Sequence, residues 1–372
     1  MSHASDVAGP AADDHAAQAS PPVARSNEDA MAGPGTPLIR NCWYVAGWGS
    51  EVTRALSSKR ILGRQVLMYR RTDGAAVALH DRCPHRSLPL SKGRLEGDQV
   101  RCGYHGLVFD SGGHCTEAPP VGTAPRSMRV PAYSLVEHGP LLWIWLGDDQ
   151  PDAKAIPRVG WLGDPEWAYG HGAMTIQSNY VSLHENLLDL THFTFLHPGN
   201  IGTPEYASAP CTVSTGGDQV TVERFVAECA VPGIYASTGL RDHRISRRTI
   251  SEFVSPALHA ASVNLSDLTP QPEKRSVFTV RVTHFVTPCD LNSTHYFFAI
   301  ARDFAIDDPS ATEIMRQAAL QAFHEDADAL EAITANQRLD PEFIEKSMKS
   351  DLAGVTMRRI VKRLSDREAG NS

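Results

Sequence analysis

Two short loops restrict this chain more than anything else in it. Cys83-Pro84-His85-Arg86 and Cys102-Gly103-Tyr104-His105-Gly106 each place one thiol and one imidazole within a tight turn. The runs around them are short and β-like, broken by Gly and Asp, so the two loops are expected at the tips of neighbouring hairpins. Structural zinc usually takes Cys-x2-4-Cys and His-x3-5-His pairs, which give each pair room to straddle the ion. Here each half is a mixed pair, with one residue between Cys83 and His85. That suits a two-iron cluster in which one iron takes both cysteines and the other both histidines. Gly103 and Gly106 allow close turns, and the loop amides can donate to sulfide and tune the potential. A zinc-holding module is the weaker alternative for the same four residues.

The bulk properties narrow the context. A chain of 372 residues is too long for one small core and suggests two domains. A net charge of −8 argues against a nucleic-acid binder, which needs a basic surface. No apolar run approaches the length of a membrane span. The seven cysteines are odd in number and scattered, which fits reduced thiols in a cytoplasmic protein better than a secreted disulfide framework. Residues 1–36, rich in Ala, Pro, Gly, Asp and Ser, read as a disordered tail without the apolar core of a signal peptide. No glycine-rich dinucleotide or phosphate loop follows a plausible strand, so if the chemistry needs electrons from a nicotinamide, another protein must collect them.

From Pro37 to about Asp148 the pattern is mostly β, with runs such as Gln65–Tyr69, Ala76–Leu79 and a closing Pro140–Leu146. A linker rich in Asp, Pro and Gly follows. The expected division is a first domain over 37–150 and a second over 151–372. Within the second domain, Glu185–His197 reads as one apolar helix carrying Asn186, Asp189, His192 and His197. The first three lie three apart and follow one helix edge. His197 is about 140° round from His192 and shares that edge only if the helix ends or bulges; Pro198-Gly199 supplies an ending. Two imidazoles then converge as a metal site one ligand short.

Long β-like runs at 220–226, 249–254, 276–287 and 294–302 predict an antiparallel sheet. A last long helix is expected from Ser310, where Ser310-Ala311-Thr312-Glu313 makes a capping box. Its apolar stripe is Met315, Ala319, Ala322, Leu330 and Ile333, with Asp326 in the middle, while Glu325 and Asp328 point elsewhere. A carboxylate on a buried helix face is expensive unless paired or bound to metal. Asp326 is therefore the expected third ligand. Two histidines and one carboxylate with open positions form the facial triad of non-haem Fe(II) oxygenases.

Cys-x-His followed by Cys-x2-His resembles the Rieske [2Fe-2S] motif at all four ligands, and Pro119-Pro120 resembles the proline-containing loop that covers such clusters. With Asn186-x2-Asp189-x2-His192-x4-His197 and the late Glu325-Asp326 pair, the chain from about Pro37 to about Asp366 resembles the oxygenase component of Rieske non-haem iron aromatic-ring hydroxylating enzymes. It is most similar to the vanillate O-demethylase and dicamba monooxygenase branch. That resemblance implies an α+β architecture: an N-terminal all-β Rieske domain, then a helix-grip (START-like) catalytic domain with an antiparallel sheet and a long C-terminal helix. It implies a Rieske [2Fe-2S] cluster on Cys83, His85, Cys102 and His105, and mononuclear non-haem Fe(II) on His192, His197 and Asp326. It also implies a homotrimer in which Asp189 bridges the cluster histidine of one subunit, assigned to His105, and His192 of the next. Asp189 and Asn186 complete the catalytic centre, Asn186 lying near the iron.

Two departures stand out: Ser87 where many relatives have Gly, and Leu107 where many have Trp. The implied activity uses O2 and electrons from NAD(P)H, delivered by a separate flavin and iron–sulfur reductase, to hydroxylate or O-/N-demethylate a small aromatic compound, such as an aromatic acid. On a methyl ether the hydroxylated product is a hemiacetal that releases formaldehyde. Cis-dihydroxylation of the phthalate type is the alternative within the class, and a pure electron-transfer Rieske protein the alternative outside it. The basic Arg358-Arg359 and Lys362-Arg363 read mainly as the solvated face of a terminal helix, with reductase docking or a subunit contact as the other uses. Pocket-lining residues are expected within 251–264 and 284–298.

Overall fold

The computed structural model describes residues 36–119, 121–269 and 273–370. Of the expected tail over 1–36, residues 1–35 lie outside the described residues, as does Pro120. The first half is two antiparallel sheets. The larger contains, in spatial order, Trp43–Trp48, Leu141–Trp145, Ala132–His138, Ala76–His80, Arg64–Arg70 and Ser57–Ile61. The smaller contains Arg94–Glu96, Gln99–Arg101, Val108–Phe109 and Cys115–Glu117. Cys83 follows the Ala76–His80 strand and Cys102 follows Gln99–Arg101, so both loops do lie at strand ends.

The second half is a seven-stranded antiparallel sheet in the order Ala168–Ile176, Thr294–Arg302, Val277–Pro288, Leu258–Asp267, Arg244–Ser255, Gln219–Ala230 and Cys211–Gly216. Between its first two strands in sequence come helices α1 (Tyr180–Leu188), α2 (Phe193–Leu196) and α3 (Pro204–Ser208). The long α4 (Pro309–Leu339) and the terminal α5 (Leu352–Gly370) complete the domain. Alternation along Arg244–Ser255 turns Ile245, Arg247, Thr249, Ser251 and Phe253 to the buried side, the period-two pattern of a half-covered sheet. Helix α4 lays Met315, Ala319, Phe323 and Leu330 into the core formed on that side. The two halves share a core as well. Trp43, Trp48 and Trp143 pack with Leu258, Phe285 and Phe297, and Thr287 Oγ1 donates to the Val45 carbonyl at 2.8 Å.

Two local expectations are corrected. Helix α4 is capped not by Ser310 but by Asp308, whose carboxylate accepts from Ser310 N at 2.9 Å and Ala311 N at 3.3 Å. Pro309 then takes the first helical position, where its missing N–H costs nothing. Further along, Thr334 rather than Ile333 occupies the buried face, because it lies four residues beyond Leu330 and completes the 3.6-residue repeat. The basic run on α5 is largely paired: Arg358 with Glu185 of α1, and Arg363 with Asp218 at 2.6 Å.

Candidate functional site

The two Cys/His loops are built alike. Cys83 N donates to Leu88 O (2.9 Å) and Ser87 N to Cys83 O (2.9 Å); Cys102 N donates to Leu107 O (2.8 Å) and Gly106 N to Cys102 O (3.2 Å). The fourth residue after each cysteine is left-handed, Ser87 at φ 62° and Gly106 at φ 74°. Glycine takes that conformation freely, whereas Ser87 pays roughly 1–2 kcal/mol for it, which is the physical content of that departure. Gly106 also admits the Pro119 ring, whose Cγ would lie 3.4 Å from an added Cβ. Pro119 thus covers the second loop.

The rings of His85 and His105 stand 4.4 Å apart. Both thiols are buried, and His85 Nδ1 is buried without a hydrogen-bond partner. Burial pushes the Cys83 thiol up to about 11, with the Cys102 thiol adding to the rise. Two neighbouring buried thiols, two neighbouring imidazoles and an unsatisfied imidazole nitrogen suit a bound iron–sulfur group, which takes cysteine as thiolate.

The second centre lies where α1 breaks off. The apolar segment 185–197 is not one helix, as its pattern suggested. Asp189 Oδ1 accepts from Thr191 N at 2.7 Å and from the Thr191 hydroxyl, an Asx turn that draws the chain out of helical geometry. The chain resumes as the single turn α2. This break removes the 140° discrepancy and brings His192 and His197 to one point, their ring centroids 5.2 Å apart.

Asp326 reaches the same point from α4. Its Oδ1 lies 3.3 Å from His192 Nε2 and 3.1 Å from His197 Nε2, and one ligand atom from each of the three residues falls within 4.8 Å of the others. His192 Nε2 is buried without a hydrogen bond, as a nitrogen awaiting a metal is. Asn186 Nδ2 donates to Asp326 Oδ1 at 2.9 Å, so Asn186 holds the carboxylate in place.

Each imidazole is oriented by a further carboxylate on its Nδ1. Asp189 Oδ2 lies 3.4 Å from His192 Nδ1, and Glu325 Oε2 lies 2.6 Å from His197 Nδ1. A carboxylate can only accept, so each Nδ1 carries the proton and each Nε2 faces the site. The role of Glu325 corrects the sequence reading. The residue does lie off the apolar stripe of α4, but His197, the residue that follows α2, meets it there.

Burial works against charge on His192, yet Asp189 and Asp326 outweigh it and raise the imidazole to about 9. Burial likewise opposes the Asp326 carboxylate, and His192 and His197 still hold it well below the usual range. The site is thus set for a cation among anions, a place the His192 imidazole fills with a proton when no metal is bound. Replacing Glu325 with Ala is expected to weaken ferrous-iron binding about 10–100-fold, measured by chelator competition, with the cluster absorbance unchanged.

Above the triad lies a cavity walled by the sheet, α1 and α4. Its walls are mainly apolar, including Leu190, Val263, Val282, Ile300 and Phe323. Ser251, Ala261, Val263 and His284 come from the stretches expected to line it. Arg247, Thr249, Val280 and Ile234 do not, although the alternation along Arg244–Ser255 marks Arg247 as inward. His184 and His259, buried beside the cavity, are pushed low by burial and stay neutral. His184 is no part of the triad, and His324 is exposed.

Residues 42–134 match the Rieske [2Fe-2S] domain model, and residues 176–367 match the model of the vanillate O-demethylase oxygenase C-terminal domain. The chain is 37% identical over 304 residues to the iron–sulfur subunit of a toluene-4-sulfonate monooxygenase system from Comamonas testosteroni, covering 79% of this chain and 88% of that one. It is 33% identical over 356 residues to the oxygenase component of dicamba O-demethylase from Stenotrophomonas maltophilia, covering 89% and 99%. The crystal structure of dicamba monooxygenase bound to dicamba superposes with a TM-score of 0.80 at 30% identity, covering 90% of this chain and 99% of that one.

Proposed function

The chain belongs to the Rieske non-haem iron oxygenases, in the vanillate O-demethylase branch, and we propose that it hydroxylates or O-/N-demethylates a small aromatic compound at the centre formed by His192, His197 and Asp326. The observation that carries this reading is the convergence of two imidazoles and one carboxylate beneath a mainly apolar cavity. Among the described residues, no helix is long and apolar enough to cross a membrane.

In this reading Cys83, His85, Cys102 and His105 hold the [2Fe-2S] cluster, and His192, His197 and Asp326 hold the ferrous ion. When bound, the two groups supply single electrons and O2 activation respectively. The chain's own residues do the rest. Glu325 and Asp189 keep the protons of His197 and His192 on Nδ1, and Asn186 steadies Asp326. The apolar walls seat the ring and keep water from the centre.

Asp189 has a second edge. Its side chain is 37% exposed and opens into a surface depression shared with Glu185, Asp351 and Arg358. His105 is half-buried, beside the exposed Tyr104. We assign that depression to His105 of a neighbouring copy in a homotrimer, with Asp189 linking the two histidines. The sequence offers no dinucleotide loop, and relatives are described as oxygenase components or iron–sulfur subunits. A separate NAD(P)H-dependent flavin and iron–sulfur reductase is therefore proposed as the electron source.

The test is a substrate screen with a surrogate reductase, following O2 uptake together with formaldehyde. Formaldehyde in proportion to O2 consumed from a methoxybenzoate supports demethylation; a dihydrodiol product with no aldehyde overturns it in favour of dihydroxylation.

A further inference from the structure

Arg247 is fully buried, lines the cavity above the triad, and has no use in the chemistry assigned so far. Its Nε donates to Thr249 Oγ1 at 3.1 Å and its Nη1 to Ile201 O at 2.6 Å, while Nη2 has no hydrogen-bond partner. The rings of Tyr206 and Tyr235 face the guanidinium at 4.5 and 5.4 Å. They fix its plane and soften its charge without neutralising it. The other deeply buried arginines differ. Neither Arg224 nor Arg302 lines the cavity, and although Arg302 Nε is likewise unpartnered, its Nη1 and Nη2 are taken up by the Thr312 hydroxyl and the Ala305 and Asp308 carbonyls. A buried guanidinium with an unmet edge is costly. At the wall of a binding cavity, a ligand that supplies the missing acceptor and the missing negative charge removes that cost.

We propose that Arg247 is the anion-recognising residue of this cavity, and that the substrate is an aromatic ring carrying a carboxylate or sulfonate whose oxygens take Nη2. The inference rests on the reading of the cavity as the substrate site and goes beyond it by naming the substrate's charge and the residue that selects it. A planar guanidinium offers parallel N–H groups to paired oxygens, which fixes direction as well as position. The anchor is tied to the reacting centre: Arg247 holds the Ile201 carbonyl, and Ile201 N in turn donates to His197 O at 3.2 Å. A ring held by its anion on Arg247 therefore keeps a set position relative to the triad, so that one substituent and not another is presented to it. The remaining walls are largely apolar and suit the ring itself.

The experiment is equilibrium binding by calorimetry to the iron-loaded enzyme, without reductase and without O2, so its outcome does not depend on which reaction follows. The probes are 4-methoxybenzoate, 4-methoxybenzenesulfonate and the neutral 4-methoxybenzamide. At least one anion is expected to bind about 30-fold or more tighter than the amide, the scale of removing one partner of a buried charge pair. The tighter of the two anions identifies the group recognised. R247Q is expected to abolish that preference, bringing the anions to the affinity of the amide. R247K, which keeps the charge and loses the fork, is expected to fall between. Equal binding of amide and both anions by the native enzyme overturns the proposal, as does an anion preference that survives in R247Q. If R247Q does not fold, the native preference and its reduction in R247K decide the matter.

Discussion

Replacing Asp326 with alanine is expected to lower turnover about 1000-fold or more, the scale of several kcal/mol that a positioned metal contributes, while the visible absorbance of the cluster stays intact. Asp326 is the one carboxylate of the triad, and both Nε2 atoms lie close to the same oxygen. Its removal leaves two neutral imidazoles, which hold ferrous iron poorly, and strips Asn186 of its partner. Iron content should therefore fall from about three atoms per chain to about two, the pair in the cluster. Cluster absorbance lost with the third iron retained would reverse the assignment of the two centres.

The charges predict a pH dependence as well. Without metal, His192 is raised to about 9, so near neutrality it carries a proton that iron must displace. Iron uptake by the metal-free protein is expected to strengthen as pH rises toward 9. The Asp326 variant, lacking one of the two carboxylates that raise His192, should show its midpoint at lower pH.

The residues whose chemistry is unusual for their local pattern were legible in the sequence. Two Cys/His loops, two histidines beside Pro198-Gly199 and a carboxylate in an apolar helix stripe each break a rule of ordinary packing. Broken rules of this kind concentrate at functional sites. The layered β architecture followed from alternation and turn residues. What stayed hidden depends on contacts between distant elements.

The Asx turn at Asp189 competes with a strong apolar helical pattern and wins only because its side chain bonds Thr191. Glu325 lies on the flank of α4, and its meeting with His197 depends on where α2 lands, which no local period encodes. Arg247 was within reach, since Ile245, Arg247, Thr249, Ser251 and Phe253 share one face of a strand. Its neighbours Arg248 and Arg244, exposed and paired with Glu223 and Glu228, masked it within a basic-looking segment.

Asp189→Asn gives the second large effect, and it separates geometry from electron delivery. Asparagine keeps Oδ1, so the bonds from Thr191 N and its hydroxyl persist and the chain still breaks where it must. The other oxygen becomes an NH2 group, which cannot accept from His192 Nδ1. Donor then meets donor, and the imidazole loses both its anionic partner and its fixed tautomer. Iron affinity should fall about 10–100-fold, a loss that excess ferrous iron can restore. Turnover measured after that restoration is expected to remain down by about 100-fold or more, because a swapped tautomer alone can cost that much in a histidine–carboxylate pair.

The decisive measurement is the reoxidation of a pre-reduced cluster on adding substrate and O2, with both centres loaded. If Asp189 links His192 to the neighbouring copy's His105, reoxidation slows along with turnover, while substrate binding is unchanged. If Asp189 serves only as the hinge of α1 and α2, the iron-loaded variant reoxidises its cluster at the native rate. The exposed edge of Asp189 favours the first outcome, since a residue needed only for a turn and a histidine contact gains nothing from opening onto the surface.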